Sequence, residues 1–356
     1  MVKFLLLIVL IAAAGAAWMW YSVHQPYRNF PAEGIFVNVP HGSSSRSVAR
    51  LLRRQGVIRS AIAFEFYARR HPRRALQAGE YFFDSASSAH DVFWKLANGQ
   101  VFEQPFTVRE GETMFDIARD LETSKFMPAS EFLRAAKDPS LIRDLAPRAT
   151  TLEGFLFPAT YHLSRHPTAV TLTADMVRKF KEEWSTVTSS NPAEGAGANQ
   201  IDANALSSTG LTNSRPISSI VTLASLVERE TPKAEERPLV AAVFENRLHK
   251  SMPLQCDPTV IYALEQSNNY KGTLTLTDLR IDSPYNTYVH TGLPPGPIGN
   301  PGEASLRAAY QPAKTDYLYF VANTQGGHFF SATLAEHNNN VIKYRRLLAG
   351  EQAPTR

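Results

Sequence analysis

The chain has 356 residues, which is enough for about two domains, and a hydrophobic content of 44% can fill sizeable cores. Its net charge of +4 is too weak, and its basic residues too scattered, to indicate nucleic-acid binding, although both suit a cell-envelope protein. The single cysteine, Cys256, excludes an internal disulfide. The sequence has neither zinc-ligand spacing nor a glycine-rich phosphate loop, so we expect no metal and no cofactor.

The first 25 residues are predicted to anchor the chain in a membrane. Phe4–Val23 is an unbroken apolar run that would be about 30 Å long as a helix, the thickness of a bilayer core. Aromatic side chains suited to a membrane interface close the run, namely Trp18, Trp20 and Tyr21. We therefore expect a single-pass membrane anchor over 1–25.

A cleaved signal peptide is the alternative, because Ala12–Ala17 offers small residues to a signal peptidase. The apolar run continues past these alanines into the aromatic residues, which favours the uncleaved anchor. Charge determines the orientation weakly, since Lys3 and the amino terminus oppose only Arg28 across the membrane. The default is a cytoplasmic N-terminus with the rest of the chain outside.

Residues 30–104 are predicted to form one small α/β domain with a repeated strand–turn–helix theme. An alternating strand over 34–39 precedes a helix over 45–55. The theme recurs as a strand over 77–83 and a helix over 87–97.

A third copy of the theme runs from Phe106 to Leu121, and its Val-x-x-Gly-x-Thr spacing resembles a LysM module, a glycan-binding fold. Strand–turn–helix units also occur because they simply pack a core. The resemblance predicts a LysM-like domain over 30–104, within which we assign no glycan ligand.

Residues 105–345 are predicted to form a larger α+β domain. Its helices include an amphipathic one over 173–184 and another over 238–248. Asp257 is predicted to cap a third helix rather than to act in catalysis, because Pro258 follows it at the first helical position. Residues 186–215 are rich in small and polar residues and indicate a flexible insertion.

The chain is organised around a predicted helix that begins at Ile217. Ile220, Val221 and Ala224 share one face of this helix, and Glu228 falls in the middle of that face. A carboxylate there is costly unless it is protonated, paired or lining a cleft, and desolvation would raise its pKa toward the range that suits a general acid. The pattern alone leaves both a catalytic acid and an ion-paired structural glutamate open. Glu230 points about 200° away around the helix and is predicted to be a structural or surface charge.

Several segments, in order along the chain, resemble the signature blocks of the YceG-like family, the endolytic murein transglycosylases. They are Leu152–Pro158, Leu223–Glu230, Val243–Leu248, Leu254–Tyr262, Ser283–Tyr288, Gly292–Ile298, Asn300–Gly302, Phe329–Thr333 and Glu336–Asn338. The resemblance covers essentially the whole chain. Two departures are visible: Cys256 stands where the family more often has a small hydroxyl residue, and the 186–215 insertion looks longer than usual.

The resemblance implies an inner-membrane enzyme that cuts peptidoglycan strands internally, between N-acetylmuramic acid and N-acetylglucosamine, and leaves 1,6-anhydro ends. The family's catalytic glutamate carries over onto Glu228. One carboxyl group can suffice, because the sugar's own C6 hydroxyl replaces water as the nucleophile. The expected partners are peptidoglycan strands, the inner membrane and, from the family, peptidoglycan synthases such as penicillin-binding proteins.

Four polar residues within these blocks are predicted to contact substrate. Asn286 and Tyr288 lie in a loop rich in proline and aromatic residues, which suits stacking on and hydrogen bonding to sugars. Gln255 and Asn300 could hold acetamido groups. Structural roles for the same four side chains stay open.

Two other functions stay open at this stage. One is a membrane-anchored glycan-binding scaffold without turnover. The other is a hydrolytic muramidase, which would need a second carboxylate such as Glu235 or Asp257.

Overall fold

The computed structural model describes residues 2–189 and 215–351, and the chain is a mixed α+β protein with an apolar N-terminal helix, as predicted. The predicted insertion over 186–215 lies, except at its ends, outside the described residues. Two compact units divide the chain. The first comprises Met1–Pro105 with His162–Arg165, and the second comprises Phe106–Tyr161 with His166–Arg356.

In the described residues the α-helices are α1 (Val2–His24), α2 (Ser45–Arg54), α3 (Ala61–Arg69), α4 (Ala89–Ala97), α5 (Met114–Thr123), α6 (Ala129–Ala136), α7 (Ala169–Ser189), α8 (Ile217–Glu230), α9 (Arg237–His249), α10 (Asp257–Gln266), α11 (Glu303–Tyr310) and α12 (Leu334–Glu351). The strands there are β1 (Ile35–Val39), β2 (Gly79–Phe83), β3 (Gln104–Thr107), β4 (Thr160–Leu163), β5 (Tyr319–Ala322) and β6 (His328–Ser331). They pair as three two-stranded sheets, β1 with β2, β3 with β4, and β5 with β6.

The first unit packs its helices on one face of the β1–β2 sheet. These strands are antiparallel, with Val37 opposite Tyr81, and both of these side chains are buried in the core with α2, α3 and α4. Because side chains alternate along a strand, Phe36 and Phe82 lie on the opposite face, where their ring centroids are 4.6 Å apart. Phe102 packs edge-on against Phe36 at 5.0 Å on that same face.

Helix α1 fits the predicted membrane anchor in length and exposure. Among the described residues it is the one helix long and apolar enough to cross a membrane, and none of its most apolar 18-residue window is buried. Its C-terminal end packs on α3 and α4, where Ser22 and Val23 are buried. Within the first unit, the packed core therefore follows directly on the apolar run.

The segment with the LysM-like spacing belongs to the second unit and not to the first. Its Gly-x-Thr pattern has a local cause: Gly111 adopts a φ of +80°, and Thr113 opens α5. The Thr113 hydroxyl accepts the Asp116 N–H at 3.1 Å, while the Asp116 carboxylate accepts the Thr113 N–H at 3.0 Å, which is a capping box. The LysM-like nature of residues 30–104 stays a prediction.

The second unit is built around α8. All eight residues from Ile220 to Val227 are buried, and the helix packs against α9, α10 and α11. It ends where Thr231 turns to an extended conformation. The β5–β6 hairpin, with Phe320 opposite Phe330, packs on α9 and α12. This packing places the last turn of α8 where charged residues from several elements meet.

Candidate active site

Glu228 is held in a buried ion pair. Its Oε1 accepts a hydrogen bond from Arg237 Nη2 at 2.8 Å, and its Oε2 accepts the Gly302 N–H at 2.9 Å. The side chains of Glu228 and Arg237 are only 5% and 8% exposed. Burial raises the pKa of Glu228, although the Gly302 N–H and the Arg237 charge oppose this. Of the two alternatives that the sequence left open, this geometry favours the ion-paired structural glutamate.

A polar cleft of about 300 Å³ opens beside the last turn of α8, and Glu228 does not line it. Eight side chains do so: Glu230, Arg247, Leu254, Gln255, Asp257, Tyr288, Phe320 and His337. They come from α8, α9, α10, α12, β5 and the loops around them. A concave site lined by several convergent polar groups is where a substrate is expected to bind.

Glu230 is the half-buried carboxyl group of this cleft, which corrects its predicted role as a structural or surface charge. Burial raises its pKa, and a hydrogen bond from the Cys256 thiol partly opposes the shift. The helical wheel correctly placed Glu228 and Glu230 on different sides of α8. It could not identify the cleft side, because α8 is buried all round through Val227.

Asp257 and Tyr288 form a hydrogen-bonded pair on the wall of the cleft. The Tyr288 hydroxyl donates to Asp257 Oδ1 at 2.5 Å. The prediction that Asp257 caps α10 is wrong, because Asp257 is the first residue of that helix and Cys256 occupies the cap position. A second carboxyl group thus shares the cleft with Glu230.

Gln255 and His337 also face the cleft. Gln255 is exposed and has a φ of +53°, a left-handed conformation that is uncommon for a residue other than glycine and that often marks functional sites. The His337 ring stacks on Tyr319 at 5.2 Å, and its buried Nδ1 makes no hydrogen bond within the described part of the chain. Contact of Gln255 and Tyr288 with substrate stays a prediction.

Asn286 and Asn300, also predicted to contact substrate, are instead buried structural residues. The Asn286 amide donates to the carbonyls of Leu279 at 3.1 Å and Ile281 at 2.8 Å, and its Oδ1 accepts the Tyr288 N–H. Neither asparagine has exposed surface. Asn286 therefore shapes the loop that presents Tyr288 to the cleft, and a role in sugar binding does not fit its contacts.

Asn300 ties three segments of the second unit together. Its Oδ1 accepts the backbone N–H groups of Gly154 at 2.9 Å and Leu156 at 3.0 Å. Its amide donates to the Glu112 carbonyl at 2.8 Å and to Glu153 Oε1 at 3.0 Å. All of its hydrogen-bonding capacity is therefore used within the fold.

Sequence reasoning overlooked Glu153, which is the other partner in this network. Its carboxyl group is fully buried and also receives the Met114 N–H and the Tyr262 hydroxyl, each at 3.1 Å. Burial raises its pKa to about 8. The available signal was a lone carboxylate inside the apolar run from Leu152 to Phe157.

The described residues contain no group of three or more His, Cys, Asp and Glu side chains placed to hold a metal ion. A carboxyl group with a raised pKa, beside a tyrosine–aspartate pair in an open polar cleft, is the arrangement of an acid–base enzyme.

Comparison with known proteins assigns the chain to a family. The model of the YceG-like family matches residues 37–343, and the chain belongs to this family. A relative from Bacillus subtilis (strain 168), named endolytic murein transglycosylase, is 33% identical over 93% of this chain and 90% of its own length. A Streptococcus pneumoniae protein of the same name is 28% identical over 96% of this chain and 64% of its own length.

A solved structure agrees with this assignment. The crystal structure of a YceG-like protein from Listeria monocytogenes matches with a TM-score of 0.54 and 32% sequence identity. The match covers 87% of this chain and 99% of the Listeria chain. The similarity therefore extends across both units of the protein.

Proposed function

We propose that this protein is an endolytic murein transglycosylase, a lyase that cleaves peptidoglycan strands internally and leaves 1,6-anhydro-muramic ends. The names of its relatives in Bacillus and Streptococcus support the activity. The observation that carries the mechanism is the position of Glu230, a half-buried carboxyl group with a raised pKa in the polar cleft.

In this mechanism Glu230 is the general acid and then the general base, the role that the family resemblance implied for Glu228. The protonated carboxyl group donates its proton to the glycosidic oxygen as the bond from that oxygen to C1 of N-acetylmuramic acid breaks. The C6 hydroxyl of the same sugar then bonds to C1, and its proton returns to the Glu230 carboxylate. No water is consumed, and the intramolecular attack removes the entropic cost of capturing a second molecule.

The other cleft residues would bind and orient the strand. The exposed amide of Gln255 suits the acetamido groups of the sugars, and the Tyr288 ring suits stacking on a pyranose. The hydrogen bond to Asp257 would fix the Tyr288 side chain in place.

Helix α1 and the proposed substrate both support a location at the cell envelope. We propose that α1 spans the inner membrane with its N-terminus in the cytoplasm, and that both units lie in the periplasm. Peptidoglycan synthases would be natural partners there, because they produce the strands that this enzyme cuts.

A hydrolytic muramidase is the second candidate, because Asp257 places a second carboxyl group in the same cleft. Mass spectrometry of digested glycan strands separates the two reactions, since an anhydro end is lighter than a hydrolysed end by one water. We expect anhydro ends and no heavy oxygen incorporated from labelled water. Labelled reducing ends as the main product would establish the muramidase instead.

Two matched variants test the assignment of the acid. Glu230→Gln keeps the shape of the side chain and removes the proton, so turnover should fall by about 10²–10⁴-fold or more. Glu228→Gln, two residues away, should retain far more activity per folded molecule. The assignment to Glu230 fails if Glu230→Gln stays active, or if Glu228→Gln is the more damaging change once both are shown to be folded.

A further inference from the structure

Helix α3 has an exposed face that is apolar at one end and basic at the other. Ile62 is 69% exposed and Phe66 is 42% exposed, whereas Phe64 is fully buried in the core of the first unit. Ile62, Phe66 and Arg70 are spaced four residues apart, so they form one stripe along the exposed side. The exposed stripe therefore changes from apolar at Ile62 and Phe66 to basic at Arg70.

The segment that contains α2, α3 and the loop after α3 is strongly basic. Residues 46–74 contain nine arginines and one glutamate, although the whole chain carries a net charge of only +4. That glutamate, Glu65, pairs with Arg69 at 2.7 Å. Four exposed arginines lie at or just after the end of α3, namely Arg69, Arg70, Arg73 and Arg74.

The same face lies beside α1, at the depth of the apolar run. A cavity of about 740 Å³ is lined by Gly15, Ala16 and Met19 of α1, by Phe66 of α3 and by Arg70 just after α3, among others. Gly15 precedes the exposed interfacial residue Trp18 by three residues, or about 5 Å of helix. With α1 in a bilayer, the end of α3 that carries Phe66 therefore lies beside the last turns of the apolar run.

We propose that α3 is an interfacial helix and that it binds the anionic phospholipid headgroups of the membrane that holds α1. Ile62 and Phe66 enter the acyl boundary, as the apolar face of an interfacial helix does by about 5–10 Å. The arginines then lie at the level of the lipid phosphates, which guanidinium groups bind well. Charge complementarity and continuity with α1 identify the occupant as lipid. The consequence is a first unit docked flat on the membrane, held by more than its anchor.

Fluorescence quenching on the full-length chain in lipid nanodiscs tests this proposal. An environment-sensitive label is placed on Ile62→Cys or on the control Glu103→Cys, and the buried Cys256 stays in both. Glu103 is exposed and follows Phe102, which packs on the sheet face opposite the helices. In discs containing phosphatidylglycerol, a nitroxide on shallow acyl carbons should quench the Ile62 label, while aqueous iodide should quench the Glu103 label.

Charge variants test the headgroup contact. Each arginine near an anionic surface is worth about a five-fold change in binding. Replacing Arg70, Arg73 and Arg74 together by Gln should therefore lower the ratio of docked to undocked α3 on the order of 100-fold. The matched control removes three exposed arginines of α2 (Arg50, Arg53 and Arg54) and should leave the quenching of the Ile62 label unchanged.

Several outcomes would overturn the proposal. One is equal iodide quenching of the Ile62 and Glu103 labels, and another is equal docking in discs of pure phosphatidylcholine. Equal losses from the two triple variants would mean that only diffuse charge acts. Protection of the Ile62 label by soluble acidic glycan fragments, but not by phosphatidylglycerol, would make α3 a polymer-binding surface.

Discussion

Replacing Glu228 by Gln should destabilise the protein, because it breaks a buried ion pair from one side. Arg237 would keep its charge with a side chain only 8% exposed. Its remaining carboxylate contact is Glu110, at 3.3 Å and half exposed. Removing one partner of a buried pair costs about 3–5 kcal/mol, and the Glu110 contact places the expected loss near the lower figure. The Gly302 N–H can still donate to the Gln carbonyl, so that hydrogen bond adds little to the loss.

Thermal unfolding of the full-length chain in detergent measures this effect. A loss of about 3 kcal/mol corresponds to a Tm lower by roughly 6–12 °C for a unit of 150–250 residues. Glu230→Gln is the control, and its stability should change by less than about 1 kcal/mol, because a neutral amide replaces a carboxyl group whose charged form is already disfavoured by burial. Adding Arg237→Gln to Glu228→Gln should recover part of the lost stability, because the unpaired charge is then gone. A Glu228→Gln protein with unchanged Tm and abolished cleavage would refute this account and return the catalytic role to Glu228.

Three further predictions follow from the same contacts. The pKa of Glu153 is about 8 in the folded protein against an ordinary 4.5, so the folded state binds this proton more tightly than the unfolded state does. The free energy of unfolding should therefore fall as the pH rises from about 4.5 through 8. In urea titrations at several pH values, Glu153→Gln should weaken this pH dependence. Asn300→Ala should lower the free energy of unfolding in urea by several kcal/mol, at about 1–3 kcal/mol for each backbone group left unpaired. Gln255→Ala should leave the free energy of unfolding unchanged, because Gln255 is exposed, and should raise KM for glycan strands. Cys256→Ser replaces a weak thiol donor by a hydroxyl, which should lower the pKa of Glu230 and move the alkaline limb of the pH–rate profile to lower pH; a profile that does not move would mean that Cys256 does not act on Glu230.

The sequence predicted those features that depend on local patterns. The apolar run of α1 and the helix at Ile217 are each encoded within a few neighbouring residues. The roles of Asn286 and Asn300 were harder to predict, because an asparagine in a loop looks the same whether its partner is a sugar or a backbone group. The partners of Asn300 at Gly154 and Leu156 lie more than 140 positions away in the chain.

The choice between Glu228 and Glu230 shows where reasoning from the helix alone ends. The wheel gives the angle between the two carboxyl groups but not what lies on each side. That depends on Arg237 at the start of α9 and on Gly302 before α11, which close around Glu228. These two contacts fix the last turn of α8 from one side, so that Glu230 is presented to the cleft on the other. Under the proposed mechanism, Glu228 is a positioning residue for Glu230. Any effect of Glu228→Gln on catalysis should then appear as a lower kcat, while the pH dependence of the reaction should still follow the titration of Glu230.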